Sequence, residues 1–402
     1  MSEHGPVAPG PGLRRNIYAL GIVSFLTDVS SEMVYPLLPD LVAAVGGGAA
    51  AMGVIEGAAE ATASVMKAVS GYLSDRWGKR KQPIFVGYLL SGLIKPLLGL
   101  AMSWPYILAM RFMDRMGKGI RTAPRDALIA DSIPPSQLGT AFGLHRAMDT
   151  MGAVIGPVIG FLFLHWLGWP LNRIFFLAAL PAFLGLGFIL AAVKEVPPPR
   201  ERPVRLRLSF SQLNPAFKRL VIVTGLFNLA HFPSVFLILR CRELGIGADY
   251  VMLVYLAYNL VYALVSLPAG RLSDRVGRRR VLIVSYLLFA GVFALGAGAS
   301  LPWHAVALFM GYGVFQGLYE GAHRAFCADL VPSERRAMSY GVLHAVAGLA
   351  ILPAGLIAGG LWKLTGPAGA FSLSAAIAAA AGVLFTVLVP TSPCEKKVAS
   401  SQ

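Results

Sequence analysis

Apolar runs alternate with short polar segments along almost the whole chain. In the first half, the runs lie near 16–43, 49–73, 82–102, from 105 onward, 138–164 and 172–193. In the second half, they lie near 220–241, 249–270, 281–300, 303–326, 337–361 and 368–390. Because a helix of about 20 apolar residues crosses the hydrocarbon core of a bilayer, the pattern predicts an all-α integral membrane protein with twelve transmembrane helices.

A charged loop between two apolar runs occurs twice. Residues 71–81 read Gly-Tyr-Leu-Ser-Asp-Arg-Trp-Gly-Lys-Arg-Lys, and residues 270–280 repeat the Gly, the Leu-Ser-Asp-Arg, the second Gly and the basic cluster 199 residues later. Asp-Ser-Ile-Pro at 131–134 also matches Asp-Leu-Val-Pro at 329–332, 198 residues later. The duplication predicts two pseudo-symmetric six-helix bundles with a substrate site at the midplane between them.

A basic segment separates the two halves. Prolines occupy 197–199 and cations surround them, a composition that no bilayer core would accept. We therefore predict a disordered cytoplasmic tail at 1–13, an N-terminal bundle at 14–193, a cytoplasmic linker at 194–219, a C-terminal bundle at 220–391 and a cytoplasmic tail at 392–402.

Composition agrees with a membrane protein, and the distribution of charge sets its orientation. Hydrophobic residues make up 56% of the chain and charged residues 14%. The cations behind the net charge of +15 concentrate in alternate connections, so the positive-inside rule places both termini in the cytoplasm. This distribution favours membrane orientation over binding of nucleic acid. The 3 cysteines have neither metal-site nor disulfide spacing, and we expect no metal.

The repeated loop resembles the hallmark motif of the major facilitator superfamily of secondary transporters, Gly-x-Leu-x-Asp-Arg-x-Gly-Arg/Lys followed by a further cation. The resemblance covers nearly the whole chain. It implies the major facilitator fold and alternating access. The motif residues that we expect to control gating are Gly71, Asp75, Arg76, Gly78, Lys79 and Arg80, with Asp274 and Arg275 in the second copy.

Two further patterns are similar to those of this family. Residues 111–119 resemble its fourth-helix pattern Arg-x-x-Gln-Gly-x-Gly, with Asp114 and Arg115 in place of the Gln and the Gly. The fifth apolar run resembles the antiporter signature of proton-coupled drug exporters, with Phe161 in place of its second Gly. The residues that match this signature are Gly152, Gly156, Pro157 and Gly160.

The loop motif also has a physical interpretation. Asp75 near the start of a neighbouring helix would accept from unpaired backbone N–H groups and latch one half against the other. Lys79 and Arg80 would then pair with Asp126 or Asp131. Alternatively, the loop is only a cation cluster that sets topology.

Charged residues inside the spans are costly and normally face the interior of a bundle. Asp28 and Glu32 are four residues apart and share a helix face. We predict that the proton-coupling acid and its switching cation belong to the set Asp28, Glu32, Glu56, Glu60, Arg111, Asp114 and Arg115. The alternative for each acid is a permanent ion pair that only tightens helix packing.

Two local patterns stay open. Pro36 and Pro39 follow Glu32 and either break the helix, which would expose carbonyls, or only curve it. His145 and Asp149 are spaced for a proton relay, although helix packing explains them more simply.

The second half carries amphipathic rings where the first half carries carboxylates. At the offset of 199, Glu56 and Glu60 correspond to Tyr255 and Asn259. His231 precedes Phe-Pro, which fits a ligand contact and a helix kink equally well, and core packing is an alternative for the tyrosine stripe. The residues that we predict for a substrate-cavity wall are Asn228, His231, Tyr255, Tyr258, Asn259, Tyr262, Glu320 and His323.

We expect a multi-pass protein of the inner (cytoplasmic) membrane that works as a monomer with a small-molecule substrate, protons and membrane lipids. The charged spans and the fifth-helix resemblance favour proton-coupled export by antiport, including efflux of drugs. The alternative is a proton-coupled importer or an exchanger of an anionic metabolite or metal chelate, which the many cations favour. A membrane enzyme or sensor is disfavoured because no nucleotide-binding or metal-binding motif occurs. We expect no cofactor, with a proton gradient as the energy source.

Overall fold

A computed structural model describes residues 11–133, 137–196, 214–331 and 336–390. For 11–14, 138–140 and 336–338 it describes the backbone only. Most of the predicted N-terminal tail, the proline-rich part of the linker and the predicted C-terminal tail lie outside the described residues. Pro134 and Pro332 of the repeated Asp-x-x-Pro pattern also lie outside them. Within these ranges the regular structure is entirely helical.

The helices of the first half follow the predicted apolar runs closely. They are α1 (Pro11–Val34), α2 (Leu38–Ala44), α3 (Ala49–Trp77), α4 (Lys81–Leu98), α5 (Trp104–Asp131), α6 (Leu138–Phe161), α7 (Leu171–Leu177) and α8 (Ala179–Ala192). A 3-10 turn at Tyr35–Leu37 joins α1 to α2, and a π-helical turn at Leu162–Trp166 extends α6.

The helices of the second half are α9 (Pro215–Ala230), α10 (Val235–Glu243), α11 (Ala248–Val276), α12 (Arg278–Ala297), α13 (Pro302–Leu330) and α14 (Arg336–Leu388). Gly366, with φ of 74°, breaks α14 into two helices. When α1–α2, α7–α8 and α9–α10 are each taken as one passage, and α14 as two, the described ranges contain the predicted twelve membrane-length passages.

Seven helical segments of the described chain are long and apolar enough to cross a membrane on those grounds alone. The helix α5 is not among them, because charged residues occupy its middle. Such charges must face protein or water rather than lipid.

Proline breaks two of the passages. The 3-10 turn that interrupts the first passage carries Pro36, so the helix is broken here rather than only curved. In the second half, α9 ends at Ala230 and α10 starts at Val235, with His231 and Pro233 between them. The helix break, one of the two alternatives left open at His231, is therefore present.

Contacts divide the described chain into two compact units. The first contains 11–41 and 62–196, and the second contains 42–61 and 214–390. The division passes through α3, whose first turns belong to the second unit.

In the first unit, α1 packs against α6 and α8, and α4 packs against α5 and α8. Its core contains a cluster of buried apolar side chains that includes Leu20, Val23, Ile84, Leu128 and Ile189. This core fixes α1, α4 and α5 side by side, and the charges of these three helices form the site described next.

In the second unit, α14 packs against α9 and α12, and α13 packs against α11 and α12. Aromatic rings fill its core: the rings of Phe289 and Phe293 stack with centroids 4.1 Å apart, and Phe227 meets Phe289 edge-on at 5.1 Å. The first turns of α3 approach α14 closely, since a Cβ at Gly57 would lie 3.0 Å from the carbonyl oxygen of Leu352. Small residues at this contact allow the two backbones to meet.

Candidate functional site

The first unit contains a polar cavity of about 40 Å³ among α1, α4 and α5. Five cations and three carboxylates line it, together with a tyrosine, a serine and two apolar side chains. The lining residues are Asp28, Ser31, Glu32, Val34, Tyr35, Lys95, Leu98, Arg111, Asp114, Arg115, Lys118 and Arg121. Five of the seven residues predicted for proton coupling therefore line the same cavity.

Arg111 and Asp114 form an ion pair one turn apart on α5. The distance from Nη1 of Arg111 to Oδ2 of Asp114 is 3.2 Å, and both residues are buried, with 6% and 9% of their surface exposed. The guanidinium of Arg111 also lies 5.8 Å from the ring centroid of Tyr35. Asp114, which stands where the family pattern has Gln, is thus the local counter-charge of the motif arginine.

Arg121 is held by two contacts from α4. Its Nη1 donates to Oγ of Ser91 at 2.6 Å, and its guanidinium carbon lies 4.4 Å from the ring centroid of Tyr88. Oγ of Ser91 in turn donates to the carbonyl oxygen of Asp114 at 3.2 Å. These contacts fix the guanidinium in one orientation at the cavity wall.

Lys95 is a cavity residue that was not predicted from the sequence. It is 3% exposed, and its Nζ has no hydrogen-bond partner among the described protein atoms. A single lysine in the middle of the apolar run at 82–102 is a signal that could have found it, since a charge inside a span is normally functional.

Asp28 also contacts an acid of α6. The carboxyl groups of Asp28 and Asp149 lie close enough to interact directly. Asp149 additionally accepts from Oγ of Ser24 at 2.6 Å, and Nη1 of Arg146 lies 3.6 Å from its second oxygen. Because two ionised carboxylates at close range repel each other, a proton on one of them would stabilise this pair.

The signature glycines of α6 permit this approach. A Cβ at Gly152 would lie 2.8 Å from the Cβ of Asp28, and one at Gly156 would lie 2.9 Å from the backbone nitrogen of Met33. Pro157 and Gly160 follow on the same helix. The α6 pattern therefore packs directly on the turns of α1 that carry the predicted acids.

Glu56 and Glu60 are not among the cavity-lining residues. Both lie on the part of α3 that belongs to the second unit, and Glu56 is almost fully buried there. Glu56 and Glu60 were predicted together with Asp28 and Glu32 as acids inside spans, whereas Asp28 and Glu32 belong to the first unit.

Arg80 organises the first copy of the loop motif. It pairs with Asp75, and its Nε lies 3.3 Å from Oδ2 of Asp131. Asp126, the other predicted partner, pairs instead with Arg125 at 2.9 Å. The choice between Asp131 and Asp126 is thus resolved in favour of Asp131 for Arg80.

Glu195 caps the start of α4. Its two carboxylate oxygens accept from the backbone nitrogens of Arg80 at 2.7 Å and Lys81 at 2.9 Å. This is the interaction with a helix start that the sequence analysis assigned to Asp75. Gly78 has φ of 65°, a conformation that favours glycine, and the side chains of Arg76 and Lys79 are exposed. The latch between the halves stays a prediction.

The second copy of the motif repeats the same triangle of charges. Arg278 lies 3.3 Å from Asp274 and pairs with Asp329. Gly277 matches Gly78 and also has a positive φ, of 100°, but the pairing arginine follows one residue sooner. This shortening explains why the sequence offset falls from 199 before the glycine to 198 at the paired aspartate. Arg275, like Arg76, is exposed.

Two histidines of the second unit make specific hydrogen bonds. Nε2 of His231 lies 2.7 Å from the hydroxyl of Tyr312, and Nε2 of His323 lies 3.0 Å from Oγ1 of Thr224. The ring of Tyr312 stacks on that of Tyr258 at 5.5 Å. His231 therefore belongs to a packed aromatic cluster as well as to a helix break.

The other predicted residues of the second unit are also engaged. Asn228 donates to the carbonyl of Thr224 at 2.8 Å, and Asn259 donates to that of Tyr255 at 3.1 Å, each one turn back along its own helix. The hydroxyl of Tyr262 donates to Glu320, which also pairs with Arg324. The rings of Tyr255 and Tyr258 pack 5.7 Å apart. The two asparagines bond within their own helices, whereas Tyr262 and Glu320 link α11 to α13.

Comparison with known proteins identifies the family. The model of the Major Facilitator Superfamily matches residues 20–239 and 222–402. An uncharacterized MFS-type transporter of Methanocaldococcus jannaschii is 39% identical over 379 residues, which cover 92% of this chain and 94% of that one. Multidrug resistance protein MdtG of Klebsiella pneumoniae is 28% identical over 291 residues, or 68% of this chain and 69% of that one.

The fold agrees with solved structures of transporters. The crystal structure of the nucleoside transporter NupG superposes with a TM-score of 0.74 at 15% identity and covers 93% of this chain and 98% of that one. At this identity the likeness concerns the fold alone. With the family match over both halves, it leads to one conclusion: the chain belongs to the Major Facilitator Superfamily and is a membrane transporter, not an enzyme.

Proposed function

We propose that the protein is a proton-coupled secondary transporter that exports a small organic solute across the cytoplasmic membrane by alternating access. The observation that carries this proposal is the close approach of the carboxyl groups of Asp28 and Asp149 where α1 packs on Gly152 of α6. Such a pair would hold a proton inside the first unit, at the wall of a charged cavity. A carboxyl pair that gains and loses one proton can couple transport to a proton gradient.

Loss of this proton changes the balance of charge in the cavity. Asp28 would become a carboxylate beside Lys118, with which it already interacts electrostatically. The new negative charge would attract the cavity cations and change the charge that a bound solute meets. The protonation state of the pair would then change the affinity of the cavity for the solute, because both act on the same cavity cations.

Two observations support export. The α6 pattern that resembles the antiporter signature packs on α1 next to Asp28, and MdtG, a relative in sequence, has a name that denotes multidrug resistance. The excess of cations in the cavity favours a second candidate, a proton-coupled importer or an exchanger of an anionic metabolite or metal chelate. We further propose that both termini are cytoplasmic and that the protein acts as a monomer, with the proton gradient in place of a cofactor.

Direction and coupling can be tested together in proteoliposomes that contain a pH-sensitive dye. A panel of lipophilic cations, organic acids and metal chelates is added outside vesicles with the cytoplasmic face outward, and an inside-acid gradient is imposed. Export predicts accumulation of a compound inside the vesicles with a matching rise of internal pH. Accumulation without any pH change would contradict proton coupling. Uptake from the opposite face only would contradict export.

A further inference from the structure

We infer that the cavity between α4 and α5 binds a carboxylate group of the transported solute, with Lys95 and Arg121 as its principal contacts. This inference rests on the proposed function and adds the chemical class of the substrate. The side chain of Lys95 lines the cavity and is almost fully buried. Its Nζ has no hydrogen-bond partner among the described protein atoms. A buried ammonium without a hydrogen-bond partner is costly, and a bound anion removes that cost.

The acids at the cavity already have partners of their own. Asp114 pairs with Arg111 at 3.2 Å and also interacts electrostatically with Lys95, and Asp28 lies beside Asp149. Five cations face three carboxylates across the lining, so positive charge stays in excess. The site would repel a lipophilic cation and attract an anion.

The geometry of Arg121 suits a planar anion. The guanidinium is pinned by the hydroxyl of Ser91 at 2.6 Å and by the ring of Tyr88. A guanidinium fixed in one plane presents paired N–H donors that match the two oxygens of a carboxylate. An anion placed between Lys95 and Arg121 would therefore meet the ammonium group of Lys95 on one side and the oriented N–H donors of the Arg121 guanidinium on the other.

The size of the cavity limits which anion enters. Its volume of about 40 Å³ exceeds the ~10–15 Å³ that one water molecule needs, and it leaves room for the three heavy atoms of a carboxylate. A tetrahedral phosphate group has five heavy atoms and fills more space. The remainder of the solute must then lie outside this cavity, so the site selects a head group rather than a whole molecule.

The test measures binding without a gradient, so that it is independent of proton coupling. Purified protein in detergent is titrated with benzoate, and the shift of its thermal unfolding midpoint gives an apparent affinity. Benzamide and phenylphosphonate serve as the neutral and tetrahedral analogues, and sodium chloride is added at equal concentration in a parallel series. We expect saturable stabilisation by benzoate and none by benzamide, with phenylphosphonate at least tenfold weaker than benzoate.

Lys95→Met should weaken benzoate binding by at least tenfold, because it removes the buried ammonium and keeps most of the side-chain volume. Lys363→Met, which removes an exposed lysine of the second unit, should bind as the unchanged protein does. The unliganded Lys95→Met protein should be at least as stable as the unchanged one, since a buried charge is gone, so loss of binding cannot be ascribed to misfolding. Lys95→Arg, which keeps a positive charge, should retain part of the binding.

Several results would overturn the inference. These are equal stabilisation by benzoate and benzamide, equal stabilisation by chloride, phenylphosphonate as strong as benzoate, or unchanged benzoate binding in Lys95→Met. Failure of the proposed function looks different: carboxylates would still bind, and Lys95 would still matter, while transport would proceed without movement of protons. Conversely, proton-coupled transport of neutral compounds alone would leave the proposed function standing and refute the carboxylate site.

Discussion

Nε of Arg80 lies 3.3 Å from Oδ2 of Asp131, and the same pairing recurs between Arg278 and Asp329 in the second half. In each copy the arginine also holds the aspartate of the Leu-Ser-Asp-Arg motif, Asp75 or Asp274. Each loop is therefore tied to the C-terminal end of a later helix of its own half. In each half, the motif therefore forms a triangle of one arginine and two aspartates. The proposed latch between the halves is a separate prediction.

The first prediction separates this triangle from a cation cluster that only sets topology. Arg80→Met should slow transport severalfold and lower stability by about 1–3 kcal/mol, because it leaves Asp75 and Asp131 facing each other without their shared cation. Lys79→Met removes the neighbouring exposed cation and should do neither. Initial transport rates and unfolding midpoints would be measured for both variants.

The double variant Arg80→Met with Asp131→Asn provides the control. If the pair acts as a unit, the destabilisation of the double variant should be smaller than the sum of the two single destabilisations by about 0.5–3 kcal/mol. Equal effects of Lys79→Met and Arg80→Met would show that only the number of cations matters.

Glu195 should matter for the start of α4. Glu195→Ala removes the acceptor of two backbone N–H groups and should destabilise the protein by about 0.5–2 kcal/mol. Glu195→Gln keeps an acceptor but loses the charge, which favours a helix N-terminus, so it should cost about 0.3–1 kcal/mol. Lys194→Ala, at the neighbouring position, is the control, and the free energies of unfolding in denaturant decide. A destabilisation by Lys194→Ala as large as that by Glu195→Ala would contradict the cap.

Gly152 should tolerate no side chain. Gly152→Ala would place a methyl group 2.8 Å from the Cβ of Asp28, so α1 and α6 must separate. We expect a destabilisation of about 1–3 kcal/mol and a loss of proton coupling, measured by unfolding and by the internal pH of loaded vesicles. Gly187→Ala is the matched control, because nothing lies within 4 Å of its added Cβ. A Gly152→Ala protein with unchanged coupling would show that the contact between α1 and α6 is not needed.

Much of the fold was predictable from the sequence, because crossing a bilayer demands long apolar helices and because the duplicated loop marks two halves. The family followed from the loop motif. The breaks at Pro36 and near Pro233 were left open, since a proline in a transmembrane helix either curves it or interrupts it, and the neighbouring helices decide.

The site was harder to predict because its contacts join different helices. Asp149 is spaced to face His145 on its own helix, but it accepts a hydrogen bond from Ser24 of α1 and lies beside Asp28, because glycines let α1 and α6 approach closely. Lys95 escaped notice because it stands alone in an apolar run, whereas the charges of α5 attract attention by recurring. Its importance comes from the proximity of α4 and α5, which no periodicity within one helix reveals.

The central claim is that the Asp28–Asp149 pair carries the transported proton, and neutralisation of Asp28 tests it most directly. Asp28→Asn and, as a control, Asp249→Asn in the first turn of α11 would be reconstituted with a compound that the unchanged protein transports. Two activities would be recorded: accumulation driven by a pH gradient, and exchange of labelled for unlabelled compound at equal pH.

We predict that Asp28→Asn keeps exchange and loses gradient-driven accumulation together with the internal pH change, while Asp249→Asn keeps all three. Gradient-driven accumulation with an intact pH change in Asp28→Asn would contradict the account.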